Sequence, residues 1–347
     1  MNLKVLEHTP TTLAEALDQA GFPRYRAKQL LTWVYRHGIS DPAEMANVPK
    51  ALRAELTVLT SRVADRIASD DGVCKLLLEY PDGSRAETVA IPDGKRLTAC
   101  LSTQVGCAVG CRFCASGLDG VQRDLTGGEI LEQALHIQQA LDRPLTNAVF
   151  MGAGEPLANY DATVFAVRGL IDEQRFGLSA RKVTVSTVGL PSAIEKLAAE
   201  DLPITLALSL HAPNDALRRK LIPAAAGVGL GRLIEAARTF YKARHREVTL
   251  EYILLAGVND SPACAAELAE LAGRLRCNVN LIGYNPVDGL PYVAPSQAAV
   301  DRFATVLRQR GVNAHVRRSR GVAADAACGQ LRRRRQPPSE PSAQDRR

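Results

Sequence analysis

Cys107, Cys111 and Cys114 lie in one short run, GCAVGCRFCASG, with the spacing C-x3-C-x2-C. Three thiolates so close in sequence can take three corners of a 4Fe-4S cube and leave the fourth iron open to another ligand. A zinc site built from four cysteines is the other chemistry open to this run, with Cys100 as the fourth ligand. Such zinc sites usually pair two C-x2-C knuckles, and this chain has one.

Other residues able to do chemistry fall where apolar runs end. Gly154 and Glu155 sit in MGAGEP, Ser186 in STVG, Ser209, Leu210 and His211 in SLH, and Asn285 in YNP. Glycine lets backbone approach a ligand closely, and a carboxylate beside it can hold a ligand ammonium. Each motif is weak alone, because Gly and Pro mark turns and Ser or Asn caps the next helix. Glu87 alone reads as an ordinary carboxylate on a strand face. Cys100 and Cys328, one before the cysteine run and one near the C-terminus, each read in isolation as inert buried thiols.

The elements that must position these groups alternate. Apolar runs at 98–103, 147–152, 182–187, 204–210, 248–255 and 278–285 are separated by helix-like segments at 127–142, 161–172, 191–200, 230–244, 262–275 and 296–310, and a short strand follows at 312–319. Six β/α units predict an α/β fold, a partial (β/α)6 barrel with a parallel sheet and helices outside. Such folds bind ligands at the C-terminal strand ends, where the motifs recur. Residues 1–70 read as a small helical accessory domain, with Thr11 or Thr12 capping LAEALDQA and one helix running from Pro23 to Gly38. Its basic, aromatic-bearing character suits RNA docking. Residues 71–96 read as a β-hairpin linker turning at Pro81-Asp82-Gly83, residues 97–331 as the barrel with its C-terminal cysteine segment, and 332–347 as a basic disordered tail.

Composition sets the class. The chain has 347 residues, 46% hydrophobic and 23% charged, as in a globular protein with a sizeable core. No apolar run reaches transmembrane length and the start MNLKVLEHTP is no signal peptide, so the expected location is the cytoplasm, without membrane contact. Eight cysteines in that compartment point to metal or catalytic roles rather than disulfide staples. Residues 301–347 carry 12 Lys/Arg against 4 Asp/Glu, a net +8; the whole chain is +6, so the first 300 residues sum to −2. A basic segment of that kind favours a polyanion such as RNA, with Arg317, Arg318 and Arg320 the expected phosphate contacts.

The stretches GFPRYRAKQLLTWVY, AETVAIP, CLSTQVGCAVGCRFCASG, DLTGGEILEQ, FMGAGEPLANYD, TVSTVGL, LALSLHAP, LEYILLAGVND, NLIGYNP and RSRG…DAACGQL resemble, in order, the radical S-adenosylmethionine (SAM) methyltransferases of the RlmN/Cfr family, over roughly residues 20–331. The cysteine motif marks only the superfamily; Cys100 and Cys328 in these contexts are far more specific. The sequence departs from the family pattern at Ala153, where Met is usual, at Gly283, where Pro is usual, and in AAAGVGLG after LIP.

That resemblance implies the roles. Cys107, Cys111 and Cys114 match the ligands of one 4Fe-4S cluster. Gly154, Glu155, Ser186, Ser209, Leu210, His211 and Asn285 match SAM-binding positions. Cys328 matches a cysteine that is methylated by a first SAM, Cys100 the resolving cysteine and Glu87 the proposed general base. A second SAM, cleaved at the cluster, supplies the radical that activates the Cys328 methyl group. Two SAM are therefore used per turnover, and Cys100 and Cys328 end as a disulfide that must be reduced. The implied product is an adenosine methylated at C2 in the peptidyl-transferase loop of 23S rRNA, before full ribosome assembly, and 3′ to the anticodon in some tRNAs. C8 methylation of the same rRNA adenosine, as in Cfr, is the alternative. A low-potential donor such as flavodoxin and a monomeric enzyme are implied as well.

Overall fold

A computed structural model describes residues 2–317 and Leu331. Its strands are β1 (Leu3–Lys4), β2 (Leu56–Thr57), β3 (Arg62–Ala68), β4 (Cys74–Glu79), β5 (Arg85–Asp93), β6 (Arg96–Cys100), β7 (Gln104–Gly106), β8 (Val121–Asp124), β9 (Asn147–Phe150), β10 (Val183–Thr187), β11 (Thr205–Ser209), β12 (Val248–Leu254), β13 (Cys277–Gly283) and β14 (Ala314–Arg317). Its α-helices are α1 (Pro10–Gln19), α2 (Arg26–Leu31), α3 (Lys50–Arg53), α4 (Gly127–Leu141), α5 (Tyr160–Ile171), α6 (Pro191–Ala199), α7 (Asp215–Leu221), α8 (Leu230–Arg244), α9 (Pro262–Ala272) and α10 (Gln297–Gln309).

Among the described residues the main sheet has ten strands, in the order β14-β13-β12-β11-β10-β9-β6-β5-β4-β3. The seven from β6 to β14 pair in parallel, with helices in every crossover. This is the expected α/β arrangement of six β/α units and a short closing strand. The remaining three are antiparallel, β3 to β4, β4 to β5 and β5 to β6.

Two expected boundaries are corrected here. The segment 71–96 is not a linker: its hairpin is hydrogen-bonded through β5 to β6 and widens the barrel sheet by two strands. Nor is 1–70 wholly helical, because Arg62–Ala68 forms the edge strand β3. The alternation in RVADRIA favours a strand, and Arg62, Asp65 and Arg66 with a bulge between Val63 and Asp65 suit an unpaired edge.

The helical unit departs locally too. The cap of α1 is Thr9, whose side chain accepts from Thr12 N–H, with Pro10 at the first helical position where its fixed φ fits. The helix expected from Pro23 to Gly38 becomes α2 followed by a π-type turn over Thr32–Arg36. Thr32 Oγ1 donates to Lys28 O (2.8 Å), and Gly38 ends the segment at φ +68°. This unit has its own core of Leu6, Leu13, Leu17, Leu30, Leu31 and Leu52, into which Leu135 of α4 inserts. Glu132 of α4 completes the join: its carboxylate accepts from Thr60 N–H and Oγ1 and from Ser61 N–H and Oγ, at 2.5 to 2.8 Å.

Side chains alternate across the main sheet with the strand period of two. Leu76, Ala90, Ala99, Phe150, Val185, Leu206, Leu250 and Leu281 join the helices in the principal core. The opposite face carries Lys75, Glu87, Cys100, Ser186, Ser209, Glu251 and Asn280. Parallel strands covered on both sides are usually apolar on both. Here one face is polar, which makes it a chamber for chemistry rather than packing.

Candidate functional site

The cysteine run closes a small hairpin that sequence reading had not resolved. Strands β7 and β8 pair antiparallel and bracket residues 107–120. Cys107 N–H donates to Gly120 O (2.9 Å), Cys114 N–H to Cys111 O (3.1 Å), and Arg112 N–H to Leu221 O (2.9 Å), so the loop is held at its neck and from below. Phe113 adds an edge-on contact with His211 at 5.0 Å between ring centroids, which places the loop over the end of β11.

Under that loop lies a cavity of about 230 Å³. Cys107, Cys111, Cys114, Gly154, Glu155, Ser186, Ser209 and His211 all line it, and so does Glu251, which sequence reading did not select. The remaining expected residues lie elsewhere. Leu210 turns into the principal core and is absent from the cavity lining, with its N–H donating to Glu251 O (3.0 Å). Asn285 is half-buried just beyond β13, outside the cavity lining. Glu87 and Cys100 are buried on the polar face of β5 and β6, where Val89 pairs with Cys100. Cys328 lies outside the described residues.

The cavity suits a cluster better than a single ion. Among the described residues no three His, Cys, Asp or Glu side chains are placed to hold one metal ion. A cube gives each of the three thiols its own iron, whereas a tetrahedral zinc site of cysteines needs a fourth. Cys100, the fourth ligand a zinc site would need, does not line the cavity. Burial pushes the Cys107 thiol up to about 11 and the Cys111 thiol well above the ordinary range, and the neighbouring sulfurs push the same way. Buried thiolates that repel one another need cationic charge among them, which iron supplies. The buried Arg218 guanidinium adds a fixed positive charge near Cys111 while donating to Val188 O (2.5 Å).

Glu155 has a structural task first. Its Oε1 accepts from Leu157 N–H (2.9 Å) and its Oε2 from Val188 N–H (2.7 Å), which ties the loop after β9 to the loop after β10. Burial raises its pKa and these hydrogen bonds oppose the rise. These bonds brace the two loops, and a carboxylate that accepts two hydrogen bonds has lone pairs left for a further donor. Gly154 beside it has φ +106°, and a Cβ there would lie 2.7 Å from Gln104 Cβ, so the turn requires glycine.

His211 also has a positive φ, +58°. Asn259 Nδ2 donates to its carbonyl (2.9 Å), and Ile253 N–H donates to its Nδ1 (3.1 Å), so the ring is neutral with its proton on Nε2. Burial, helped by Arg218, lowers its pKa to about 3.

With this geometry, comparison with known proteins is decisive. The Radical SAM superfamily matches residues 101–269, and the Ribosomal RNA large subunit methyltransferase N-terminal domain matches residues 1–61. A protein of Rhodopirellula baltica named "Probable dual-specificity RNA methyltransferase RlmN" is 45% identical over 329 residues, covering 93% of this chain and 89% of its own. One of the same name from Synechococcus elongatus is 47% identical over 324 residues, with 91% and 89% covered. The chain belongs to the RlmN-type radical SAM methyltransferases. The crystal structure of a radical SAM methyltransferase from Sphaerobacter thermophilus superposes with a TM-score of 0.91 at 44% identity, covering 94% of this chain and 98% of that one. As a member of the RlmN type the protein is a SAM-dependent methyltransferase, and the radical SAM family implies a 4Fe-4S cluster and SAM. Among the described residues no helix is long and apolar enough to cross a membrane.

Three polar residues of the chamber were missed: Lys75, Glu251 and Asn280. The signal was available in CKLLLE, VTLEYIL and CNVNLIG, where each of the three stands between two apolar neighbours inside a strand.

Proposed function

We propose that this chain methylates C2 of an adenosine in the peptidyl-transferase loop of 23S rRNA, and the adenosine 3′ to the anticodon in some tRNAs, by way of a methylated Cys328. The observation that carries the reading is the shared face of Glu87 and Cys100. Val89 pairs with Cys100, so Glu87, two residues away on the same strand, points to the same side as the Cys100 thiol. A carboxylate and a thiol adjacent on a buried face serve no need of simple RNA binding. The curated relatives' name, a dual-specificity RNA methyltransferase, supports an RNA substrate.

Cys107, Cys111 and Cys114 would hold the cluster, which with bound SAM supplies hydrogen abstraction and so makes an unreactive methyl group reactive toward the electron-poor C2 carbon. Glu87 accepts the proton that C2 must lose. The adduct also gives up one electron, which would return to the low-potential redox partner. Cys100 then attacks the Cys328 sulfur as thiolate, the sulfur–sulfur bond forming as the sulfur–carbon bond breaks. The carbon keeps that electron pair, takes a proton and leaves on the RNA as methyl. Thr88 Oγ1 donates to Cys100 O (2.9 Å) and Ser102 Oγ to Glu87 O (2.6 Å), which fixes both backbones for this exchange. Two SAM are consumed per turnover, a low-potential donor such as flavodoxin reduces the cluster, and the enzyme works as a cytoplasmic monomer. Exposed Tyr25, Arg24 and Lys28 of the N-terminal unit, with Arg317 at the end of β14, offer contacts to RNA.

The test is anaerobic turnover with methyl-deuterated SAM, a reductant and a 23S rRNA fragment containing the peptidyl-transferase loop, followed by digestion and mass spectrometry. 2-Methyladenosine with one methyl deuterium replaced by protium is expected. 8-Methyladenosine would overturn the C2 assignment, and unmodified RNA from a protein with an intact cluster would overturn the substrate.

A further inference from the structure

The polar row on the chamber face includes one carboxylate that nothing above uses. Ser209, Glu251 and Asn280 are direct neighbours in register across β11, β12 and β13. Glu251 is 3% exposed, yet its side chain lines the cavity beneath the cysteine loop. Its Oε1 accepts from Asn280 Nδ2 (2.9 Å) and lies 3.8 Å from Arg317. Its Oε2 is buried and has no hydrogen-bond partner among the described residues. A buried carboxylate oxygen left without a donor is costly, and a native site that keeps one commonly completes it with a ligand.

Position and chemistry narrow the donor. The thiols that hold the cluster are in the loop above the mouth, whereas Glu251 is within β12, level with the last residue of β11. A ligand whose amino-acid end meets the cluster therefore presents its nucleoside end to this row. There Ser209 Oγ, 3.1 Å from Ser186 Oγ, stands directly across from Glu251. Two adjacent acceptors, a carboxylate oxygen and a hydroxyl, match the two adjacent donors of a ribose cis-diol. Glu155 is already engaged by two backbone N–H groups, whereas Glu251 Oε2 has no donor among the described residues. Burial raises the Glu251 pKa, and Arg317 and the Asn280 hydrogen bond oppose the rise.

We propose that Glu251 is a SAM-binding residue, its Oε2 accepting a hydrogen bond from a ribose hydroxyl of SAM. The inference rests on the reading that this cavity takes SAM. Its main chain already shapes the same site, since the Glu251 carbonyl accepts both Leu210 N–H (3.0 Å) and His211 N–H (3.3 Å).

The variant Glu251→Gln has a defined effect. Asn280 Nδ2 needs an acceptor, so it holds the Gln carbonyl and turns the amide NH2 into the cavity. An acceptor facing the ligand becomes a donor without change of shape. Binding of radiolabelled SAM, and of SAM analogues lacking the 2′ or the 3′ hydroxyl, is measured by equilibrium dialysis on cluster-loaded protein without reductant, so that no turnover occurs. Wild-type protein is expected to bind one of the deoxy analogues about 10- to 100-fold more weakly than SAM, the range for a hydrogen bond to a charged group. Glu251→Gln is expected to weaken SAM by a similar factor and to show little further loss with that analogue. Equal affinity of the wild type for SAM and both deoxy analogues would overturn the proposal whatever the variant's folding. So would a deoxy penalty that is the same in wild type and variant. Cluster-loaded wild type that binds no SAM at all would instead overturn the SAM site itself, and this assignment with it.

Discussion

Lys75 Nζ lies 3.3 Å from Glu87 Oε2, with the two side chains 2% and 4% exposed, on the sheet face that also carries Cys100. A buried ion pair adds little net stability, but removing one partner strands the other charge in a poor solvent, at a cost of about 3–5 kcal/mol. Lys75→Met is therefore expected to lower the unfolding free energy by about 3 kcal/mol in urea melts. Adding Glu87→Gln should recover a substantial part, since the stranded charge is then gone. A double variant as unstable as the single one would show that Lys75 acts through other contacts.

Removing Cys100 should stop the reaction at its covalent stage. Cys100→Ala keeps the fold, because a 6%-exposed thiol is replaced by a smaller apolar group, and the expected product is RNA joined to the protein through Cys328. Cys328→Ala should yield neither adduct nor methylated RNA. Gel-shift under denaturing conditions with labelled RNA reads the adduct, and free methylated RNA from Cys328→Ala would refute the role given to that cysteine.

The cysteine run and the strand-end motifs were legible because they depend on covalent spacing and on where apolar runs stop. The antiparallel extension was not, because nothing in VCKLLLEY and RAETVAI says which strand their outer edges will join; pairing is a tertiary choice. Glu155 shows the same limit from the other side. A ligand-facing carboxylate can be read from the motif, but its brace to Val188 N–H, 33 residues away, cannot. Glu251 is different in kind. It was readable as a polar residue in an apolar strand, and became informative only when register set it beside Ser209 and Asn280.

His136 should make the join between the N-terminal unit and α4 sensitive to acid. Ser61 Oγ gives its one proton to Glu132, so His136 Nε2–H must donate to Ser61 Oγ across 3.0 Å. Burial lowers the His136 pKa from 6.5 to about 4. The unfolded chain gains a proton below pH 6.5 that the folded chain refuses until about pH 4, so stability from this group falls as pH drops through that window, by roughly 3 kcal/mol in all. Depressed carboxylates such as Glu79 slope the same way, so the informative quantity is a difference. His136→Gln, which keeps a donor near Ser61, should show a shallower loss than wild type between pH 6.5 and pH 4.5 in urea unfolding. Parallel curves for the two proteins would assign the slope elsewhere.

Gly106 should be as necessary to the cluster as the cysteines it precedes. It sits at φ +84°, and a Cβ there would fall 2.1 Å from Gly120 O, the same oxygen that accepts Cys107 N–H and closes the neck of the loop. The clash is with backbone, so no side-chain rotation relieves it, and the left-handed conformation adds its own strain. Gly106→Ala must therefore open the neck, moving Cys107 relative to Cys111 and Cys114 while the sheet behind stays intact. The expected result is a variant that melts within a few degrees of the apo wild type yet takes up well under half its iron and sulfide on anaerobic reconstitution. A full complement of iron would show that the loop can hold a cluster without the Cys107–Gly120 closure.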